Sequence, residues 1–313
     1  MRLYHLLIIG LTSALAACGV NDEDRQSAEE AVDEASLAIQ TQLISSSLAD
    51  IAATTPTAAS AVERAQALAT GAGKLLDCGL VEAEGSIVRI AFDGLGCLVR
   101  NQRLWGEVLI DVTEMPTLAH LTFLEVTDGG LTIEGESSVD FTQETRRINE
   151  DVSLSLNESS TTTYLYIDQR NESPSTEGLL ITSGTRCITS SNASVSCTLS
   201  STGSPECSES EGDCIEVRSE DLTLQWNLDV PVAGELGAHR VTLANHTREV
   251  SLAYLFEHDE EGSESGAFGG KLLINAQVSH LSRPRSSARE SAQDESAWIS
   301  EVSNSFDFII EFP

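Results

Sequence analysis

DLTLQWNLDVPV, residues 221–232, alternates polar and apolar side chains without a break. Successive side chains of a β-strand point to opposite faces, so a strand with one solvent-exposed face and one buried face shows this alternation. Such half-exposed strands are typical of antiparallel sheets, because parallel strands buried on both faces read as unbroken apolar runs. The same alternation recurs in Val88/Ile90/Phe92, Val108/Ile110/Val112, Val152/Leu154/Leu156, Val250/Leu252/Tyr254/Phe256 and Phe306/Phe308/Ile310/Phe312. The sequence therefore predicts a mainly β protein of about ten to thirteen strands, arranged as an antiparallel meander, a sandwich or a curved sheet.

One or two short helices are predicted ahead of the strands. Capping boxes, in which a serine accepts from the third helical amide and a glutamate reaches back, occur at Ser27–Glu30 and Ser60–Glu63. Pro56 separates the two helices, and Gly71 supplies a stop signal for the second. The helices are expected either to form a stalk or to pack on the sheet. The predicted organisation is a signal peptide over residues 1–17, an acidic tether over 18–26, a helical segment over 27–77 and an antiparallel β domain over 78–313.

The charge of the chain excludes one class of partner. The sequence has 18 Lys and Arg against 49 Asp and Glu, which gives a formal net charge of −31. Such a surface repels nucleic-acid phosphates and anionic lipid headgroups. With 41% hydrophobic residues in 313, the chain also has enough apolar material for a substantial core. We therefore expect a folded acidic protein that does not bind DNA or RNA.

The N-terminus reads as a signal peptide that ends in a cysteine. An apolar run from Leu3 to Ala17 follows Arg2 and is too short for a comfortable membrane span. The string LAAC, Leu15–Cys18, resembles the lipobox of bacterial lipoproteins. That resemblance implies that the Cys18 thiol is diacylated, that the chain is cleaved before Cys18, and that the new amine is acylated. The alternative is an ordinary secretory peptide with an incidental cysteine.

The resemblance also implies a location. Two or three acyl chains on one residue anchor a protein durably, whereas one chain binds a membrane only marginally. In the sorting rule of enteric bacterial lipoproteins, an Asp directly after the lipidated cysteine retains the protein in the inner membrane, and here that position is Gly19. The expected location is the cell envelope, at the outer membrane, with periplasmic and surface exposure both open.

The remaining cysteines are even in number, as disulfides in an oxidising compartment require. The six are Cys78, Cys97, Cys187, Cys197, Cys207 and Cys214. We favour the sequential set 78–97, 187–197 and 207–214, because each pair closes a short loop, which stabilises by roughly 3 kcal/mol in the chain-entropy model. A zinc site is the rival interpretation, but the sequence has no Cys-x-x-Cys pair and no histidine close to these cysteines.

A weak internal repeat supports a meander. The pattern G-E-x-x-[IV]-D-[VF]-T occurs at Gly106–Thr113 and again at Gly135–Thr142. Two strands and a turn per unit would fit this spacing, with Asp128-Gly129-Gly130 as one turn. Similarity by chance among strands of one composition is the alternative. The Glu and Asp of the pattern are expected to face outward, as solubilising residues first and as ligands second.

No catalytic signature is present in the sequence. It has no G-x-S-x-G nucleophile elbow and no H-E-x-x-H motif. Calcium is a candidate ligand for the acidic loops at 207–214 and 259–264, although neither follows the EF-hand spacing. No other cofactor is expected. The predicted function is a non-catalytic binding or structural role for a lipid-anchored envelope protein with an unidentified protein or envelope partner. The alternatives are a carrier of hydrophobic molecules in a curved-sheet cavity and a hydrolase of an extracellular polymer.

Overall fold

A computed structural model describes the chain from residue 22 to residue 312, with internal gaps. The described residues are 22–76, 79–99, 102–142, 145–156, 163–174, 179–190, 197–199, 205–207, 214–225, 234–243, 248–258, 270–282 and 299–312.

Thirteen strands form one antiparallel sheet in which chain neighbours are also sheet neighbours. The described residues form fifteen strands in all: β1 (Leu80–Glu84), β2 (Ile87–Val99), β3 (Gln102–Asp111), β4 (Leu118–Thr127), β5 (Leu131–Asp140), β6 (Arg146–Leu156), β7 (Thr163–Pro174), β8 (Leu179–Ser190), β9 (Cys197–Leu199), β10 (Pro205–Cys207), β11 (Cys214–Gln225), β12 (Gly234–Leu243), β13 (Arg248–His258), β14 (Gly270–Ser282) and β15 (Ile299–Phe312). The one interruption is a separate two-stranded pair, β9 with β10, so that β8 pairs with β11. The predicted mainly β, antiparallel meander is confirmed.

The predicted alternation corresponds to burial on one face of this sheet. Val88, Ile110 and Leu121 lie side by side on β2, β3 and β4 and are at most 1% exposed. At the other end of the sheet, Val250 and Val278 face each other on β13 and β14 and are fully buried. The apolar residues of each strand therefore face a common core on the inner side of the sheet, as a half-exposed strand requires.

A long helix, α1, occupies that inner side. It runs from Asp22 to Ala53 and contacts β5 and β11 to β15. Between Thr41 and Ala52 almost every residue is buried, on all sides of the helix. Because a helix on a flat sheet would bury only one stripe, the sheet must curve around this part of α1.

α1 is longer than the sequence predicts and begins earlier. Ser27, the expected N-cap, is inside the helix, where its Oγ donates to the carbonyl oxygen of Glu23 at 3.0 Å. Acidic residues Asp22, Glu23 and Asp24 instead occupy the first turn, where the helix dipole favours negative charge. Asp24 is buried and accepts a hydrogen bond from Asn304 on β15 at 2.6 Å. Residues 22–26 of the expected tether are therefore helical.

The second helix, α2, extends from Ala61 to Leu75 and packs on β1 and β2. The predicted capping box is present, with Ser60 accepting from the amide of Glu63 and the Glu63 side chain accepting from Ser60. The helix continues through Gly71, where the sequence predicts a stop, because its packing on β1 holds the last turn. Both helices therefore pack on the sheet and do not form a stalk.

The internal repeat corresponds to β3 and β5, with a turn at Asp128-Gly129-Gly130 as predicted. Its two glycines have positive φ, 94° at Gly106 and 133° at Gly135. A Cβ would lie 2.1 Å from the carbonyl oxygen of Glu125 at the first and 2.5 Å from that of Asp151 at the second. Glycine at this position lets the neighbouring strand approach closely.

The aspartates of the repeat end the two strands. The amide of Thr113 donates to Asp111 Oδ1 at 2.9 Å, and the amide of Thr142 donates to Asp140 Oδ1 at 2.8 Å. Burial by itself would raise the pKa of Asp111, but the hydrogen bonds from Thr113 outweigh it and lower that pKa. Hydrogen bonds from Thr142 likewise lower the pKa of Asp140. The D-x-T of the pattern is therefore a turn signal that occurs twice.

Candidate functional site

Charged side chains gather on the inner face of the sheet, beneath α1. Seven residues make up this group, which we call the inner cluster: Asp50 from α1, with Arg146, Glu150, Asp168, Arg170, Glu172 and Arg186 from β6, β7 and β8. The six strand side chains are between 0 and 4% exposed, and that of Asp50 is 14% exposed. Ionic groups at this depth require partners, because desolvation of an unpaired charge costs several kcal/mol.

The strand register brings the members of the inner cluster together. Arg146 and Glu150 lie four residues apart on β6 and therefore face the same side. The register pairs Arg146 with Glu172, and it pairs Glu150 with Asp168. Asp168 is paired in turn with Arg186 on β8. The cluster is thus a patch of polar positions, three strands wide, in a sheet face that is otherwise apolar.

Arg170 is the centre of the inner cluster and is fully buried. Its guanidinium donates to Glu172 Oε1 at 2.6 Å, Ser45 Oγ at 2.7 Å, Glu150 Oε2 at 2.8 Å and Ser46 Oγ at 3.0 Å, and also to Asp168 Oδ2. Three carboxylates from two strands and two hydroxyls from α1 therefore converge on one side chain. Charge-assisted hydrogen bonds of this kind are about twice as strong as neutral ones.

Gly184 on β8 lies opposite Arg170 in the register. A Cβ at position 184 would lie 2.6 Å from both Cα and Cβ of Arg170. The absence of a side chain at Gly184 is therefore what allows the two strands to approach where Arg170 stands.

Arg146 is a second link between the sheet and the C-terminal part of α1. Its Nε donates to Glu172 Oε2 at 2.6 Å, its Nη2 donates to the carbonyl oxygen of Ser46 at 3.2 Å, and its Nη1 donates to Asp50 Oδ1. The helix supplies both a side chain and a backbone group to this arginine. The inner cluster therefore fixes how α1 sits on β6 and β7.

The charges in the inner cluster balance when one carboxyl is protonated. Three arginines face four carboxyl groups. Burial raises the pKa of Glu150, and the nearby charge of Asp168 adds to this effect, although Arg170 opposes it. Burial also acts to raise the pKa of Glu172, but Arg170 and Arg146 outweigh it and lower that pKa. Glu150 is thus the carboxyl best placed to hold a proton.

A further carboxyl on α1 is shielded from water. Burial, together with the charges of Asp33 and Glu30, raises the pKa of Glu34 to about 8. Its Oε2 atom is buried without a hydrogen-bond partner among the described residues. Glu34 is therefore a group that titrates near neutral pH.

A second polar region lies on the opposite, outer face of the same strands. We call it the outer groove: an open concavity of about 690 Å³ across β2 to β7. Its polar lining includes Asp111, His120, Glu136, Asn149, Asp151 and Gln169. An adjoining concavity of about 660 Å³ shares Glu136 and adds Glu107, Leu124 and Glu134.

Two carboxylates face each other directly in the outer groove. Glu136 on β5 is the register partner of Asp151 on β6, and both side chains are exposed. Like charges at directly opposite positions are destabilising. Within the described residues, neither has an ion pair. The equivalent glutamate of the repeat, Glu107, has one: Arg89 Nε donates to Glu107 Oε1 at 2.7 Å.

Amide and aliphatic groups complete the outer groove. Gln169 Nε2 donates to Asn149 Oδ1 at 3.0 Å, so the two amides form a short row across β6 and β7. Ile87, Leu109 and Ile167 supply apolar surface, and Ile87 is 39% exposed. The outer groove therefore combines negative charge, hydrogen-bonding groups and accessible apolar surface.

The structure describes only some of the predicted site residues. Cys18 and Cys78 lie outside the described residues, as do positions 208–213 and 259–264 of the proposed calcium loops. Where the chain is described, no group of three or more His, Cys, Asp or Glu side chains is arranged to hold a metal ion.

The cysteines on strands can be placed. Cys97 and Cys187 are buried, and each takes part in a disulfide whose second sulfur is not among the described side chains. A Cβ at Gly79, the residue after Cys78, would lie 3.2 Å from Cys97 Sγ. The register of β9 and β10 places Cys197 opposite Cys207. The predicted pairing therefore stays a prediction, and 197–207 is a second arrangement that the backbone allows.

Neither helix has the length and apolar character needed to cross a bilayer, as far as the described residues extend.

Comparison with protein-family models, with curated proteins and with solved structures finds no match to this chain.

Proposed function

We propose that this chain is an exported lipoprotein, anchored through acylated Cys18 at the outer membrane, that acts by binding a partner in the cell envelope. The observation that carries the choice of binding over catalysis is the enclosure of the inner cluster. Its carboxylates and guanidiniums are the groups that an active site would use, yet Arg170, Glu150 and Asp168 are 0% exposed beneath α1. A substrate in solvent does not reach them while α1 is in place.

The start of α1 supports the anchoring part of this proposal. α1 begins at Asp22, four residues after Cys18. A fully extended chain spans at most about 3.6 Å per residue, so this spacer covers roughly 14 Å. An acyl group on Cys18 would therefore hold the folded domain directly at the bilayer surface.

The hydrophobic-carrier alternative has less support. A curved sheet could enclose a ligand, but α1 occupies the inner side of this one with buried side chains such as Ile44 and Leu48. A carrier would need α1 to leave, and the charge-assisted bonds of Arg146 and Arg170 to the helix oppose that.

A hydrolase could use the opposed Glu136 and Asp151 in the outer groove. Carboxylate pairs perform glycoside hydrolysis, in which one member must stay protonated through shielding from water. Both of these side chains are exposed. Their arrangement therefore favours binding of positive charge over proton transfer.

The disulfide pairing belongs to the same proposal, because it requires an oxidising compartment. We favour Cys78 with Cys97, supported by the position of Cys97 Sγ beside Gly79. Cys187 would pair with Cys197, which begins a strand that contacts β8, and Cys207 with Cys214.

The anchor is tested by labelling cells with a palmitate analogue and fractionating their membranes. We expect the wild-type chain to incorporate the label and to sediment with the outer membrane after a carbonate wash. Cys18→Ser should lose the label and appear in the soluble envelope fraction. Cys97→Ser is the matched control, because it removes a thiol elsewhere and should keep the label. An unlabelled wild-type chain, or a Cys18→Ser chain that stays membrane-bound, would overturn the anchor.

A further inference from the structure

The outer groove differs from the rest of the described surface in how its charges are arranged. Elsewhere in the described sheet, outward acids lie opposite residues of other charge: Glu82 is the register partner of Arg89, and Asp140 is the register partner of Arg147. In the outer groove, Glu136 and Asp151 face each other across β5 and β6 with no cation of the described residues between them. Two like charges held opposite each other repel, and a bound positive charge would remove that repulsion.

The chemistry of the lining restricts what that positive charge belongs to. A divalent cation needs several convergent ligands, and Glu136 and Asp151 have no third His, Cys, Asp or Glu of the described residues placed with them to hold a metal ion. The amides of Asn149 and Gln169 lie beside the carboxylates and can bond to a peptide backbone. Leu109 and Ile167 offer apolar surface that an inorganic ion would not use and that branched aliphatic side chains would cover better than the bare methylene chain of a polyamine. Charge, amides and aliphatic groups together fit a polypeptide.

The dimensions agree with a short segment of chain. Within the outer groove, one register row runs from Leu109 on β3 through Glu136 and Asp151 to Ile167 on β7. Its four gaps between strands, at about 4.8 Å each, span roughly 19 Å. An extended peptide advances about 3.3 Å per residue, so about six residues fill this length. Every second side chain of such a peptide points toward the sheet, at a spacing of about 7 Å.

We propose that the outer groove binds a basic, extended segment of another polypeptide, with Lys or Arg side chains placed at Glu136 and Asp151 and aliphatic side chains at Leu109 and Ile167. This inference rests on the proposed binding role, and it names the surface and the chemistry of the partner. The net charge of −31 adds long-range attraction for such a segment and speeds encounter.

The test measures binding of a fluorescent peptide to the full-length protein in detergent by anisotropy. The probe is the six-residue peptide Leu-Ser-Lys-Ser-Lys-Ser, in which the leucine and both lysines point to the same face when the chain is extended. A second peptide replaces each Lys with Glu. We expect the basic peptide to bind, the acidic peptide not to bind, and binding to weaken as salt rises from 50 to 300 mM. A basic peptide that does not bind overturns the proposal.

Paired double variants locate the site. Glu136→Gln with Asp151→Asn should weaken binding about tenfold, because two exposed charge contacts are lost. Glu82→Gln with Glu84→Gln removes the same charge from the exposed edge strand β1 and should leave affinity unchanged. Equal weakening by both pairs would mean that only the overall field attracts the peptide, which overturns the assignment of the groove.

Two further measurements distinguish a peptide site from a polyamine site, and failure of the groove from failure of the membrane anchor. Spermidine at matched positive charge should compete poorly; competition as strong as that of the peptide overturns the polypeptide assignment. Cys18→Ser should bind the peptide as the wild type does, because the groove is remote from the anchor in sequence. A failed anchor with intact peptide binding would thus overturn the location alone, whereas a failed groove with an intact anchor would overturn this inference alone.

Discussion

The inner cluster and the outer groove lie on the same strands, one residue apart, and treat charge in opposite ways. Glu150 and Asp168 face inward and are fully buried among arginines. Their chain neighbours Asp151 and Gln169 face outward into the groove. An inward carboxylate is held by Arg170, whereas outward Asp151 faces another carboxylate.

The difference follows from solvent. Beneath α1 an unpaired charge costs several kcal/mol, so every inner carboxylate has a guanidinium partner. On the outer face water screens the repulsion between two acids, so the opposed pair costs only a few tenths of a kcal/mol to about 1 kcal/mol. The charged residues of the inner face therefore hold α1 in place. The opposed acids of the outer face remain accessible to a positively charged ligand.

Removal of Arg170 should have the largest effect on stability. Arg170→Met would leave Glu150, Asp168 and Glu172 buried without their common partner, and we expect a loss of about 3–5 kcal/mol in the free energy of unfolding. The matched outer change, Arg89→Met, breaks an ion pair with Glu107 that is exposed to water and should therefore cost much less. Urea denaturation followed by circular dichroism measures both. Similar losses for the two variants would contradict the distinction between the faces.

A methyl group at Gly184 should have an intermediate effect. Gly184→Ala places a Cβ 2.6 Å from Arg170 Cα, so the two strands must separate beside the inner cluster. We expect a cost of about 1–3 kcal/mol. Gly71→Ala in α2 meets nothing within 4 Å and should stabilise by up to about 1 kcal/mol, since alanine favours helix. Thermal melts of the two variants should therefore shift in opposite directions, and a Gly184→Ala midpoint equal to that of the wild type would refute the packing argument.

The pH dependence of stability should show a smaller effect. The pKa of Glu34 is raised from 4.5 to about 8 in the folded chain, so its contribution is fully present below pH 4.5 and is lost as pH rises toward 8. Glu34→Gln cannot ionise and should flatten the decline in stability between pH 5 and 8 by on the order of 1 kcal/mol. Glu84→Gln, exposed on β1, should leave the slope unchanged. Parallel wild-type and Glu34→Gln curves would exclude a shielded carboxyl at this position.

The strands could be predicted because alternation follows directly from burial on one face. The alternation predicts that Val88, Ile90 and Phe92 face the core, and all three are buried in the structure. The Ser60 capping box was likewise a local signal, and it marks the true start of α2. The Ser27 box failed because Ser27 lies in a buried turn of a longer helix, where its hydroxyl bonds to Glu23.

The inner cluster could not be predicted from periodicity. Asp168, Arg170 and Glu172 alternate with Ile167 and Gln169. From the sequence alone, this pattern predicts that the charged side chains face solvent and that Ile167 and Gln169 face the core. The structure has the reverse, because α1 brings Ser45 and Ser46 to those charges from 124 and 125 residues away. The sequence of β6 did contain an indication of buried charge. Arg146 and Glu150 alternate with the same spacing of two as the apolar Ile148 and Val152, which places all four side chains on the buried face.

The outer groove was only partly predictable. The repeat indicated outward Glu and Asp positions, and Glu107 and Glu136 do face outward. That Glu136 opposes Asp151 depends on the register between β5 and β6, where the chain of β6 approaches closely at Gly135.

The span of contacts made by α1 has a consequence for the order of folding. Asp24 near the start of the helix bonds to Asn304 on β15, 280 residues later in the chain. The helix is synthesised before every strand that covers it. Its surface of small and polar side chains therefore stays incompletely covered until β15, the last strand, has formed. Pairing of successive strands is local and fast, whereas closing this loop is not. A chaperone that shields the leading helix until the last strand has formed would therefore act on a slow step in the assembly of the domain.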